Sequence, residues 1–356
     1  QAMANLEDPE GKALQRVRGA GKAERVAKAR EKQRLVEERA MQVAEERKQW
    51  LSSVPFVLQK IEHVSDPRLK ENYVCRDPEL VKRKGLFIAE SPLVVTTLVT
   101  RSRFKASSVL LSESRLEAFR DTLMQLPQGT PVYAAPPPVM DEVAGFKAHR
   151  SALAVAEIGP ELDAETCVKN LVEDGGPKTV VVLEGVCNHD NIGSIFRNAA
   201  GTACSPSLHP PPGFGVDLIL LDKASADPLY RKAIRTSVGA SLTVPYARVP
   251  TYADAFALLG RHGFLTWALT PRPSATNIRH AAARLPASRR LALCLGAEGP
   301  GMSDASIADS NLAVRIAMAP GPDALNVAAA SAIAMYVVCG EDDEDSDGAV
   351  AQQATS

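Results

Sequence analysis

Apolar and polar positions follow three regimes along the chain. From Gly11 to Trp50 apolar residues are sparse, proline is absent, and Ala, Glu, Lys, Arg and Gln dominate. That composition favours helix by propensity but offers few anchors for a core, so it predicts a long solvated helix in a charged extension over residues 1–50. Between Val54 and Ile158 short apolar runs take over: Leu86 to Ala89, Ser108 to Leu111, Val132 to Ala135 and Leu153 to Ala156. Helical stretches such as Leu93 to Arg101 and Ser114 to Leu126 separate them. Strand and helix signals in alternation predict a compact α/β domain over 51–158. Residues 159–178, ending near Gly175, Gly176 and Pro177, read as a linker.

The alternation restarts at Thr179. Strands are predicted at Val180 to Glu184, Leu218 to Leu221, Phe264 to Leu269, Leu291 to Leu295 and Leu312 to Met318. Helices are predicted at Ile192 to Ala200, Pro228 to Val238 and Asn326 to Cys339. The order implies a second α/β domain over 179–340, with a mainly parallel sheet. One stretch does not fit: Gly201 to Gly213, with Pro206, Pro210, Pro211 and Pro212, has no apolar pattern. It reads as an inserted surface loop or a gene-model artefact such as a retained intron. Residues 341–356 have the composition of a disordered tail.

With 356 residues, 45% of them hydrophobic and 23% charged, the chain has the material for two ordinary domains. Its most apolar segment near the end, Val327 to Cys339, is too short to cross a bilayer, so no membrane insertion is expected. A net charge of -1 gives no overall attraction to nucleic acid. Yet Glu341, Asp342, Asp343, Glu344, Asp345 and Asp347 crowd one terminus, and such an average can hide a basic face. Cys75, Cys167, Cys187, Cys204, Cys294 and Cys339 are scattered without a C-x-x-C pair or a histidine at zinc spacing. That pattern predicts reduced thiols in a cytosol-like setting and no metal site. With Gln1 at its start, the chain leaves its compartment open between cytoplasm and organelle.

Chemistry is expected outside the carboxyl ends of the strands, where open α/β sheets bind ligands. Three loops there have unusual composition. Glu184 to Gly193 leads into a helix carrying Arg197; taken alone, Asn191 is a plausible N-cap and Arg197 an ordinary surface arginine. Leu295-Gly-Ala-Glu-Gly-Pro-Gly-Met-Ser303 packs three glycines and the Glu298 carboxylate after an apolar strand. Such glycines let backbone approach a ligand closely. Ile316 to Asn326 feeds a helix of small residues, Val327 to Ala334, on which another backbone can lie close.

Together the loops resemble the three ordered motifs of the SpoU/TrmH family, the SPOUT class of RNA methyltransferases. Motif one is matched by Asn191-Ile-Gly-Ser-Ile-Phe-Arg197-Asn-Ala-Ala200 and motif two by Leu295-Gly296-Ala-Glu298-Gly299-Pro-Gly301-Met-Ser303. Motif three is matched by Ile316-Ala-Met318 through Leu325-Asn326-Val327. Asp227-Pro-Leu-Tyr230 and Ser237-Val-Gly-Ala240 look like the same family. Upstream, Asp66 to Lys70, Gly85 to Glu90, and Gly145-Phe146 with His149-Arg150 resemble an L30e-like substrate-binding domain.

The resemblance implies an α/β fold with a deep trefoil knot in the second domain and a homodimer through it. It implies S-adenosylmethionine as cofactor, contacted at Gly296, Ile316 and Leu325, with Leu269, Met318 and Val327 as apolar neighbours. It also implies transfer of a methyl group to a ribose 2′-hydroxyl of rRNA or tRNA. Arg197 matches the family's proposed catalytic residue, and Asn191, Glu298 and Asn326 match positions that orient it and the substrate. RNA contacts are expected from Lys82, Arg83, Lys84, Lys147 and Arg150, with Lys223, Arg231 and Arg235 nearer the site. Two departures stand out: Ala324 where a serine often precedes Leu-Asn, and Ser151 where His-Arg-Gly is common. With the insert beside motif one, Ala324 supports a rival reading, an RNA-binding or ribosome-assembly factor that keeps the fold without turnover. A dehydrogenase-like reading fails for want of a G-x-G-x-x-G after a strand.

Overall fold

The computed structural model describes residues 31–145, 152–200, 215–319 and 324–339. The expected insert after Ala200, the acidic tail, and Lys147, Arg150 and Ser151 lie outside the described residues. The chain divides between Pro55 and Phe56 into two compact units. In the first, residues 31–51 form a helix, α1, almost all of it exposed. Its polar surface is laced by pairs one turn apart, such as Gln33 to Glu37 at 2.9 Å and Arg34 to Glu38 at 3.6 Å. Such pairs contribute roughly 0.2–0.5 kcal/mol each, which suits a helix held by propensity rather than by a core.

The second unit carries two sheets. The first uses β1 (Val57–Lys60), β2 (Leu86–Glu90), β3 (Lys105–Ser112), β4 (Pro131–Ala135) and β5 (Ala152–Glu157). Their order is β1-β4-β3-β5-β2, parallel except for β5, which runs antiparallel to both its neighbours. Around them lie α2 (Pro67–Lys70), α3 (Asp77–Lys84), α4 (Pro92–Arg101), α5 (Arg120–Leu123) and α6 (Pro137–Ala144). Proline at the first helical positions of α2, α3, α4 and α6 costs no hydrogen bond there, and Asp66 and Ser91 cap α2 and α4. Residues 114–126, expected as one helix, fold as two 3-10 turns followed by the four-residue α5. Leu116 and Phe119, both buried, are three residues apart, a spacing that stacks them on the tighter helix.

Residues 159–178, expected as a linker, hold α7 (Ala164–Glu173) instead. Asp163 accepts the Thr166 amide at 2.8 Å and starts the helix, and Val168 is fully buried among strand residues of the second sheet. Leu162, Cys167, Leu171 and Val172 pack beside it, a helical spacing that the nearby glycines overshadow in the sequence. Val168→Ala should therefore cost about 2 kcal/mol in denaturant unfolding, whereas a linker position would shift by no more than about 0.5 kcal/mol.

The second sheet is parallel throughout: β6 (Lys178–Glu184), β7 (Leu218–Leu221), β8 (Tyr246–Arg248), β9 (Leu265–Leu269), β10 (Thr276–Asn277), β11 (Arg290–Gly296) and β12 (Leu312–Arg315). The order is β10-β12-β9-β11-β6-β7-β8. Val180 to Leu183 and Leu291 to Leu295 are buried on both faces, as central parallel strands require. Val180, Val182, Leu218, Leu220, Ala292 and Cys294 form one core with α7 and α10 (Tyr252–Arg261). Side chains alternate along a strand, so Val181, Leu183 and Ile219 point to the other face. There Phe196, on α8 (His189–Ala200), meets Tyr246 edge-on with ring centres 5.6 Å apart. The remaining helices are α9 (Arg231–Thr236), α11 (Ile278–Ala282), α12 (Asp304–Asp309) and α13 (Val327–Cys339). No helix among the described residues is long and apolar enough to cross a membrane.

Candidate active site

The carboxyl ends of β9, β11 and β12 and the start of α13 enclose a cavity of about 340 Å³. Leu269, Gly296, Ile316, Met318, Leu325 and Val327 all line it, as do Glu298, Asn326 and Ala324. The strands explain the placement. β9, β11 and β12 lie side by side and parallel, so the segments leaving them emerge at one edge.

The glycine-rich turn after β11 closes on itself. Gly301 donates to the Ala297 carbonyl at 2.9 Å, and Ala297 and Gly301 form an isolated antiparallel bridge. Gly299 and Gly301 have φ of +92° and +72° with open space where a Cβ would stand, which leaves a bare backbone cradle. Gly296 is the opposite case: a Cβ there would lie 2.1 Å from the Met302 nitrogen.

Beside the cavity three polar residues join. Asn326 Nδ2 donates to Asn191 Oδ1 at 3.1 Å, and Asn191 Nδ2 donates to Glu298 Oε1 at 2.6 Å. Asn191 is 7% exposed. Asn326 Oδ1 accepts from the amides of Ala328 and Ala329, which starts α13. One amide side chain from α8 thus links the turn after β11 to the turn before α13. Seven residues on, Asn198 ties α8 to α13 again, donating to the Ala328 carbonyl and the Ser331 hydroxyl, both at 2.9 Å. Arg197 is exposed on α8 and has no partner among the described residues. Asn191→Ala should leave Glu298 and Asn326 without their common partner. The expected result is a turnover loss of about 10- to 100-fold with little change in cofactor affinity, read by steady-state kinetics beside calorimetry.

The loop that leads into motif one is tied to the segment after β7. Asp222, after β7, accepts the Gly185 amide at 3.0 Å, and Ser225 accepts the Val186 amide at 3.2 Å. At the head of α8, Lys232 pairs with Asp190 at 2.7 Å and holds its carboxyl below the usual range. Beneath the cavity, burial pushes the Cys294 thiol well above its ordinary value and keeps it protonated.

The expected RNA contacts divide. Lys82, Arg83 and Lys84 end α3 and are exposed, Lys84 donating to the Glu71 carbonyl. Lys223 and Arg235 are exposed as well. Arg231 corrects the expectation: its Nε lies 2.7 Å from Glu90 Oε2, so the charge is already paired within the fold. Thr270, Pro271 and Arg272 also line the cavity, and Arg272 pairs with Asp304. The sequence reading missed them because their loop lacks glycine, although its place after β9 marked it equally.

A sequence model of the SpoU rRNA Methylase family matches residues 178–336. An uncharacterized tRNA/rRNA methyltransferase of Mycobacterium bovis is 40% identical over 275 residues, 76% of this chain and 88% of its own. An AdoMet-bound rRNA methyltransferase from Sinorhizobium meliloti superposes with a TM-score of 0.63 at 18% identity, over 79% of this chain and 97% of that one. The SpoU methyltransferase AviRb from Streptomyces viridochromogenes, also with AdoMet, gives 0.60 at 18% over 82% and 99%. At such identity the structures establish the fold, a parallel-sheet α/β architecture of the SPOUT kind. The long match to the mycobacterial protein establishes kinship: this chain belongs to the SpoU/TrmH family of tRNA/rRNA methyltransferases, whose cofactor is S-adenosylmethionine.

Proposed function

We propose that this chain methylates a ribose 2′-hydroxyl of rRNA or tRNA. The observation that carries the reading is the hydrogen-bonded string Asn326–Asn191–Glu298 at the rim of the aliphatic cavity, with Arg197 exposed on the same helix. The lining fits the cofactor. Met318 and Leu325 stay 39% and 40% exposed, apolar surface that a bound adenosyl group would cover, and the lack of side chains at Gly299 and Gly301 lets the cofactor come close to the backbone. When bound, S-adenosylmethionine supplies an electrophilic methyl. The chain's own task is to hold the hydroxyl in line and draw off its proton. A guanidinium cannot accept that proton readily, so Arg197 would anchor phosphate and polarise the hydroxyl, with the proton passing to water as the methyl leaves the sulfonium, which becomes a neutral thioether. Asn191 would fix α8, and with it Arg197, against the cavity.

Lys82, Arg83, Lys84, Lys223 and Arg235 would hold the RNA backbone in this reading, with the first sheet as the substrate-binding domain. A knotted second domain and a homodimer through it belong to the same proposal. α13 leaves Ile333 and Tyr336 exposed where a second copy would lie, and sedimentation reads the stoichiometry directly. The test of function is transfer of labelled methyl to total RNA. Label resistant to alkaline cleavage at its linkage marks 2′-O-methylation. Label at an alkali-sensitive linkage would move the reaction to a base, and absence of label from folded protein would favour the assembly-factor reading.

A further inference from the structure

α9 is gripped at both ends by the first sheet's half of the unit and along its flank by α8. At its start Tyr230 provides no capping side chain; instead Asp77, the first residue of α3, accepts the Arg231 amide at 3.0 Å. Burial pushes the Asp77 carboxyl upward, and it still serves as the cap from 154 residues away. The Arg231 side chain then donates to Glu90, the last residue of β2 and only 4% exposed. Glu90 Oε1 and Arg231 Nη2 are buried with no hydrogen-bond partner among the described residues. Past the far end of α9, Gly239 lies on α4: a Cβ built there would stand 3.6 Å from both Thr97 Cβ and Val94 Cα.

The flank is as tight. A Cβ on Gly193 of α8 would come within 2.5 Å of the Ala233 carbonyl oxygen of α9, and Asp190 accepts from both Lys232 and Thr236. Among the described residues, the non-glycine positions with φ in the left-handed range are Ser91, at +99°, and Val238, at +54°. Ser91 follows Glu90 and Val238 precedes Gly239, so the strained positions flank this one arrangement. Such conformations persist only where the surroundings over-determine them. An incompletely satisfied buried ion pair is a poor source of stability, so geometry is what this one secures.

We infer that α9 is a rigid joint, through which Glu90, Arg231 and Asp77 fix the first sheet against α8 and set where a bound RNA presents its ribose to Arg197. The inference rests on the RNA-methyltransferase reading. It makes Glu90 and Arg231 positioning residues.

Three measurements on the full chain test it. Glu90→Ala should lower kcat/KM for RNA about 10- to 100-fold while S-adenosylmethionine affinity stays within about twofold, because only the relative placement is lost. Glu90→Gln, which keeps an acceptor for Arg231 Nε, should recover most of the rate. A purely structural role would instead lower cofactor affinity and melting temperature together. Amides of α9 should exchange faster with deuterium in Glu90→Ala, and this readout decides the joint even if the wild-type chain transfers no methyl, an outcome that would sink the functional reading alone. Finally, Thr97→Cys with Gly239→Cys places two Cβ atoms about 3.6 Å apart, within disulfide reach. Equal rates for the oxidised and reduced forms are expected. A loss on oxidation that reductant restores would mean that the joint opens in each turnover, and would overturn the inference, as would unchanged α9 exchange in Glu90→Ala.

Discussion

Arg197→Ala is expected to lower methyl transfer to RNA about 10²- to 10³-fold, the range for removing one donor aimed at developing charge, while leaving S-adenosylmethionine affinity essentially intact. The separation follows from where the side chain stands. Arg197 lies on the exposed side of α8, outside the residues lining the cavity, and no described residue depends on it for a hydrogen bond. Truncating it therefore leaves no buried hydrogen-bond partner behind among the described residues and should move the melting temperature little. Arg197→Lys is the sharper variant. It keeps the charge but replaces a planar fork with a point, so a phosphate anchor would keep part of its rate, whereas a bidentate grip on phosphate and hydroxyl would lose nearly all. Initial rates with saturating cofactor, beside calorimetry on the same preparations, read both effects. Wild-type turnover in Arg197→Ala would remove this arginine from the chemistry and leave Asn191 and Glu298 to explain it. Loss of cofactor binding would show instead that α8 shapes the cavity through Arg197.

How far the sequence carried this reading depends on the range of each interaction. Val180 to Leu183 and Leu291 to Leu295 announce central strands because burial on both faces leaves continuous aliphatic runs, and both are β6 and β11 at the middle of the sheet. The glycine-rich turn was legible for a local reason, since left-handed φ values at Gly299 and Gly301 demand glycine. β8, three residues long, is too short to separate from loop, whereas the α10 that follows it was legible, with Thr251 as its cap and Ala255, Leu258 and Leu259 at helical spacing, and was passed over. α7 was hidden by two glycines at its end, although Asp163 and the spacing of its apolar residues mark a capped amphipathic helix. The string from Asn326 to Asn191 to Glu298 spans separations of 135 and 107 residues. No pattern rule reaches so far, and only the family resemblance put these three residues on one page. Arg231 was misassigned because sequence reports a charge and not its partner, and Glu90 stands 141 residues away on the other sheet.

Gly296→Ala should be the most damaging single-methyl change at the cavity. The added carbon would fall 2.1 Å from the Met302 nitrogen, 2.2 Å from the Gly301 carbonyl carbon and 2.6 Å from its oxygen. All three are backbone atoms, so no rotamer change relieves the clash. Either the turn from Ala297 to Gly301 swings outward, breaking its 2.9 Å hydrogen bond, or β11 shifts against β6 and β9. Each route deforms the cavity wall. Overpacking of this kind costs about 1–3 kcal/mol of stability, and the displaced cradle should weaken S-adenosylmethionine binding by about 100-fold or more. Gly299→Ala separates crowding from backbone strain. Its Cβ meets nothing within 4 Å, yet its φ of +92° is unfavourable for alanine, so it should lose about 1–2 kcal/mol of stability with a far smaller effect on the cofactor. Thermal melts and calorimetry on the two variants give the comparison. If they lose equal affinity, strain in the turn governs the site. If Gly296→Ala binds the cofactor as well as wild type, the wall at β11 yields more easily than its backbone contacts allow, and the cavity is shaped instead by the segment leading into α13.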